Sequence, residues 1–523
     1  MTNSKRPGGH GNGESGDAAS IDRRTVLKSA TALSAFGSSL LVQRANAQGG
    51  PPAYHGLGVA AAAEAIRRGE ISAEAYAGVL LSRARQYAGL NAFITIDETA
   101  VLAAARDADK ARARGADAAL LGVPLAVKDS YMTRGLKTSF GTGLMKDYVP
   151  DTDASVVASL KAGGAIVFGK NNLVEMSYGL TGSNAHHGQP KNPYDISRVT
   201  GGSSSGASAS VAARLVPAAL GGDTVGSIRV PAALCGVVGY KPTPGRWPGD
   251  GVAPISHTLD TAGVLARSVE DCALVDAIVT GAKSDDRSGD AGLKGVRLAI
   301  APKQSQDFLD SGVAEIFQET LARLKHAGAD IIEVDLGEEF ASLTRKVTWS
   351  LFFHETMPDV TQFLQGNKIP ATFDAIYEQL GPEIKESWTK SVLPTGEGYV
   401  PDAAIRLIRS TDRAKLQSLY AAAFTRADAL VLPTTRCLAP EIAKQLKFPV
   451  AGEDQAPPFL SRNTFPASGA GLPAISVPMG LSVEQLPAGF EIEAAPGRDC
   501  SLLSLARRIE MAIGPAPAPG GFG

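Results

Sequence analysis

The chain has 523 residues, with 51 Lys+Arg against 53 Asp+Glu and a formal net charge of −2. That balance excludes a strongly basic chain overall and gives no reason to expect a nucleic-acid partner or a strongly charged partner surface. Its four cysteines, Cys235, Cys272, Cys437 and Cys500, are dispersed in no paired spacing, which argues against a disulfide scaffold and a zinc site alike.

The first 47 residues stand apart from the rest. Asp22-Arg23-Arg24-Thr25-Val26-Leu27-Lys28 has the twin-arginine form, and a weakly hydrophobic run of 14 residues (29–42) follows it. Ala45-Asn46-Ala47 is a small-x-small cleavage site. Fourteen residues are too few to span a bilayer, which takes about 20, so no stable membrane insertion is expected. The segment reads as an export signal, with the twin-arginine translocation machinery as partner and a periplasmic or secreted mature protein.

From residue 59 the pattern is globular. Residues 59–68 and 73–87 carry helical spacing, and Ser72 suits the N-cap of the second helix. Residues 120–127 form a short apolar run ending at Lys128, which predicts a buried strand. A helix over 154–162 precedes a strand over 165–168, and strands at 296–301 and 331–334 flank a helix over 313–327. Such alternation predicts an α/β fold on a central sheet. Between 340 and 420 the pattern turns to helices with bulky aromatics: Trp349, Phe352, Phe353, Phe363, Phe373, Tyr377 and Trp388. Core packing explains most of such a stripe, and at least one member is expected to reach a ligand. Returning strands are read at 430–433 and 474–478. The tail 515–523 has nothing to bury and is expected to be disordered.

The chemistry concentrates in two turns. Gly201-Gly202-Ser203-Ser204-Ser205-Gly206 and Gly221-Gly222-Asp223-Thr224-Val225-Gly226-Ser227 combine hydroxyls with almost no side-chain bulk. Backbone N–H groups in such turns can converge on one oxyanion. Gly202-Ser203-Ser204-Ser205-Gly206 also satisfies G-x-S-x-G, but residues 194–200 form a polar approach, not the strand that a nucleophile elbow requires. None of the seven histidines sits in a recognisable triad position after a suitable acid, and no Gly-rich phosphate loop fits its context.

Together with LGVPLAVKD at 121–129, SHTLDTAG at 256–263, SVED at 268–271 and GLPAISVP at 471–478, these turns resemble the amidase signature family of serine hydrolases. The blocks run in order over roughly residues 55 to 510. The resemblance implies the amidase signature fold, a large mixed, twisted central sheet covered by helices on both faces, over residues 48–514. It implies Ser227 as nucleophile, Ser203 as relay with a cis peptide bond before it, and Lys128 as terminal base. It further implies an oxyanion hole from the backbone of Thr224, Val225, Gly226 and Ser227, and places Tyr178 and Gly179 beside the substrate. Val225 departs from the family's usual glycine, which is costly if that position needs positive φ. Asp223 and Arg229 are read as a structural pair.

The implied reaction is hydrolysis of a small-molecule amide to acid and ammonia or amine, without metal or organic cofactor. The wording of the blocks is most similar to arylacetamide-type members, the indoleacetamide and mandelamide hydrolases. An aryl-acylamidase, carbamate or ester hydrolase of the same family stays open. So do a glutamine amidotransferase component, an exported binding protein without activity, and a homodimer.

Overall fold

The computed structural model describes residues 54–282, 292–515 and 517–522. The expected export signal, with Arg23, Arg24 and the site after Ala47, lies outside them. Eleven strands form one mixed sheet, in the order β1-β3-β2-β4-β6-β5-β12-β13-β9-β7-β8. They are β1 (Phe93–Thr95), β2 (Pro124–Lys128), β3 (Ile166–Asn171), β4 (Ala218–Asp223), β5 (Val238–Lys241), β6 (Thr261–Ala266), β7 (Arg297–Ile300), β8 (Asp330–Glu333), β9 (Ala429–Pro433), β12 (Ala474–Leu481) and β13 (Pro487–Glu493). A separate hairpin pairs β10 (Phe448–Val450) with β11 (Glu453–Gln455).

Strand β2 shows why the sequence folds this way. All five of its residues are buried, as an apolar run flanked by strands on both sides requires. It lies parallel to β3 and to β4, with Ala126 opposite Ala219 and Val127 opposite Leu220. β2 and β4 therefore end on the same side of the sheet. Helix α1 (Val59–Arg68) and helix α2 (Ala73–Gln86) form where helical spacing predicts them, and the Ser72 side chain accepts from Ala75 N–H at 3.0 Å. The parallel pair β7 and β8 is bridged by helix α3 (Ser311–His326), the expected β-α-β unit.

The short helix Ser205–Ala212 is buried along its whole length. Its small residues permit this: a Cβ on Gly206 would lie 2.3 Å from the Ala92 carbonyl oxygen and 2.6 Å from Asn172 N. Only glycine allows the backbones to approach so closely. The aromatic-rich stretch is the 27-residue helix Phe340–Gly366 followed by Phe373–Gln379 and Pro382–Ser391. Among the described residues no helix is long and apolar enough to cross a membrane.

The tail departs from expectation. Phe522 is buried against Tyr87, with ring centroids 4.5 Å apart, and Tyr87 Oη donates to the Gly521 carbonyl at 2.8 Å. Tyr194 Oη donates to the carbonyl of Pro517 at 2.6 Å. The Pro/Gly composition hid one anchoring aromatic and the carbonyls that hold it in place.

Candidate active site

Lys128 is the last residue of β2 and Asp223 the last of β4, so the 224–228 turn opens beside the lysine. Ligand sites of α/β sheets gather at such strand ends. Ser203 enters from the other turn, and the Gly202–Ser203 peptide bond is cis. Lys128 Nζ donates to Ser203 Oγ at 2.7 Å, and both residues are fully buried. Burial pushes the Lys128 ammonium down to about 7, while the carboxylates of Asp260 and Asp223 partly oppose it. Near neutral pH such a lysine is substantially unprotonated, and its lone pair can accept the Ser203 hydroxyl proton.

The two turns are stapled together. Ser204 N–H donates to the Ser227 carbonyl at 3.1 Å. Ser204 Oγ accepts from Gly222 N–H at 3.2 Å and donates to the Gly222 carbonyl at 3.2 Å. The serine that a nucleophile-elbow reading would select is thus tied to backbone. Ser227 itself is buried, yet it faces a cavity of about 330 Å³.

Within the 224–227 turn the four expected oxyanion residues are not equivalent. Gly226 N–H donates to Asp223 Oδ1 at 2.8 Å, so the expectation that Gly226 lends its own N–H to an oxyanion is corrected: that donor is occupied. The N–H groups of Thr224, Val225 and Ser227 have no hydrogen-bond partner among the described residues. Val225 is not in the left-handed region; Gly226, at φ +132°, takes the conformation that a side chain resists. This answers the concern over Val225, whose carbonyl accepts from Thr464 Oγ1 at 2.6 Å. A Cβ on Gly226 would lie 2.1 Å from the same Thr464 Oγ1. Gly226→Ala is therefore expected to destabilise the protein by about 2–4 kcal/mol through strain and overpacking. A urea midpoint equal to wild type would refute this.

Asp223 and Arg229 form the expected structural pair. Arg229 Nε donates to Asp223 Oδ2 and one terminal nitrogen to Oδ1, both at 3.0 Å. The other terminal nitrogen meets Glu491 Oε1 at 2.5 Å. Burial raises the Asp223 carboxyl, but Arg229 outweighs it and holds the group below the ordinary carboxylate range. The pair fixes the end of β4 and leaves no free charge there.

The cavity at Ser227 is lined by Tyr178, Gly179, Val225, Trp349, Phe352 and Phe353 among others. Tyr178 packs on Phe352 with centroids 4.8 Å apart and on Trp388 at 5.5 Å. Of the aromatics singled out from sequence, Trp349, Phe352 and Phe353 reach this cavity, while Phe373 and Trp388 stack behind it at 4.9 Å. Phe363 lines a second cavity of about 620 Å³, which Lys128, Thr224 and Asp260 also line. Ser177 borders both.

Sequence reading missed Thr464, Asp260 and Ser204 in these supporting roles. Asp260 lay inside a recognised block without a distinguishing signal, and the one motif that marked Ser204, G-x-S-x-G, pointed to a nucleophile and not to a staple between turns. Thr464 is more than 230 positions from the turn it supports, so nothing local could mark it.

A mixed sheet that holds a buried lysine against Ser203 and presents Ser227 to an aromatic cavity defines an α/β enzyme. The chain belongs to the amidase family, whose model, Amidase, matches residues 79–503, and it is an amidase with the amidase signature fold. It is 36% identical over 470 residues to the mandelamide hydrolase of Pseudomonas putida, covering 87% of this chain and 91% of that one. It is 32% identical over 450 residues to the indoleacetamide hydrolase of Allorhizobium ampelinum, covering 85% and 96%. A solved crystal structure of an amidase superposes with a TM-score of 0.78 at 28% identity, over 88% of this chain and 100% of that one.

Proposed function

We propose that this amidase hydrolyses a primary carboxylic amide with an aromatic acyl group, through Ser227 as nucleophile, Ser203 as relay and Lys128 as base. The observation that carries the reading is the buried 2.7 Å contact of Lys128 with Ser203, beside the aromatic cavity that Ser227 faces. Ser227 Oγ attacks the amide carbon as its proton passes to Ser203 Oγ and the Ser203 proton passes to Lys128 Nζ. The N–H groups of Thr224, Val225 and Ser227 receive the oxyanion. The path then reverses: Lys128 returns its proton through Ser203 to the departing nitrogen, and ammonia leaves an acyl-Ser227. Water, deprotonated along the same relay, releases the acid. Flat aromatic groups suit the walls of Tyr178, Phe352 and Phe353, since rings pack edge-to-face or offset at such distances.

Ammonia release from phenylacetamide, mandelamide, indole-3-acetamide and glutamine tests this, with an anilide followed as free aniline. Turnover of the three arylamides and none of glutamine is expected. Release from glutamine alone would overturn the aryl reading. The second cavity favours one alternative, because 620 Å³ beside Lys128 and Thr224 leaves room for a substituted leaving nitrogen. Product from the anilide alone would make the protein an aryl-acylamidase.

The twin-arginine segment supports a further part of the proposal, export of the mature chain through that machinery. Replacing Arg23 and Arg24 by lysine is expected to retain the protein in the cytoplasmic fraction. Unchanged export of the double variant would refute it.

A further inference from the structure

The lysine-side cavity contains a carboxylate that the proposed reaction leaves unused. Asp260 immediately precedes β6, which runs antiparallel to β4 with Asp223 opposite Thr261. Continuing that register by one residue sets Thr224 opposite Asp260. Thr224 Oγ1 donates to Asp260 Oδ1 at 2.6 Å. The other oxygen, Oδ2, accepts from Ile255 N–H at 2.7 Å and Ser256 N–H at 3.0 Å. Both oxygens are thereby fixed, and the carboxylate shares the cavity wall with Lys128.

We propose that Asp260 is a positioning residue that joins the two halves of the site: its Oδ1 holds the Thr224 end of the oxyanion turn, while its charge acts on Lys128 across the cavity. The inference rests on the triad proposed above. Neither role is that of a proton carrier, since both Asp260 oxygens are engaged, Oδ1 by Thr224 Oγ1 and Oδ2 by the Ile255 and Ser256 N–H groups.

The surrounding charges set the sign of the test. Lys128 feels Asp260 and Asp223, and Asp223 is already paired with Arg229. Asp359 acts on Asp260 from the cavity mouth, where it meets His257 Nδ1 at 3.0 Å. Glu355, under Ser256 and Thr258, is paired with Arg409. Tyr131 donates its hydroxyl to the Gly221 carbonyl at 2.6 Å. Burial raises the Asp260 carboxyl to about 6, so it ionises ahead of the lysine and its charge is present over the upper part of the acid limb. Removing that charge removes an attraction for the ammonium, and Lys128 must deprotonate at lower pH.

The experiment follows, against pH, the rate at which a fluorophosphonate labels Ser227 and kcat/KM for phenylacetamide. Asp260→Asn is expected to move the acid limb down by roughly half a unit or more and to lower the plateau by about tenfold as the oxyanion turn loosens. Thr224→Val is expected to lower the plateau and leave the limb where it was. A merely structural aspartate would lower melting temperature without moving the limb, and a wild-type limb in folded Asp260→Asn overturns the proposal. Should Asp260→Asn fail to fold, a wild-type plateau in Thr224→Val overturns it. A wild-type enzyme that takes no label at Ser227 overturns the triad itself, and this inference with it.

Discussion

Ser227→Ala is expected to lose amide turnover by at least about 10⁴-fold while keeping its fold. Deleting a nucleophile from a relay that acts as a unit costs on the order of 10⁴–10⁶ in kcat, and only binding and oxyanion stabilisation remain. The fold should tolerate the change because the Ser227 hydroxyl has no hydrogen-bond partner among the described residues. Alanine therefore orphans no buried polar atom, and orphaned atoms are what make such deletions destabilising. The backbone bond from Ser204 N–H to the Ser227 carbonyl is unaffected by the substitution. Ammonia release, melting temperature and intact mass after fluorophosphonate treatment decide the matter together. Wild-type turnover in folded Ser227→Ala would sink the nucleophile assignment. Label mapping to Ser204 would revive the G-x-S-x-G reading, against the contacts of Ser204 Oγ with Gly222.

Much of this site was legible because small residues and short-range order carry it. The apolar run before Lys128 has the composition of a strand buried on both faces, and β2 is one. Ser72 announced a cap that forms with Ala75. Gly226 is a different case, because sequence suggests glycine for close approach to an anion, yet here it supplies φ +132° under Thr464. Its N–H is used by Asp223, a competition that pattern reading cannot see. The tail misled for a related reason. Proline and glycine argue for a loop, but Phe522 finds an apolar seat beside Tyr87, Ala209 and Leu215 in elements far away in sequence. Which aromatics of 340–391 face a cavity depended on how the helix Phe340–Gly366 is turned, and its hydrophobic residues run too nearly all round to reveal a face.

Lys128→Met is expected to cripple catalysis and at the same time stabilise the protein. General-base catalysis contributes typically 10²–10⁴-fold, so kcat/KM should fall by about that much. The residual rate should rise with pH, because hydroxide can then deprotonate the serine pair without the lysine. Wild-type activity should instead rise through an acid limb near pH 7, where Lys128 loses its proton, and then level off. The stability effect follows from the same displacement. Folded Lys128 titrates near 7, against 10.5 for an unperturbed lysine. Between those values the unfolded chain binds the extra proton, so wild-type stability rises with pH across that window. Below it the penalty is complete, up to about 5 kcal/mol. Methionine removes this penalty but leaves the Ser203 hydroxyl without its partner, which returns about 1–3 kcal/mol. The net gain should therefore be largest at or below pH 7 and shrink as pH climbs toward 10. Denaturant midpoints of wild type and Lys128→Met at pH 6.5 and 9.5 test the sign directly. A stability difference that stayed the same at the two pH values would mean that the buried lysine is held as an ammonium across the window, and a base that never gives up its proton could not drive Ser203.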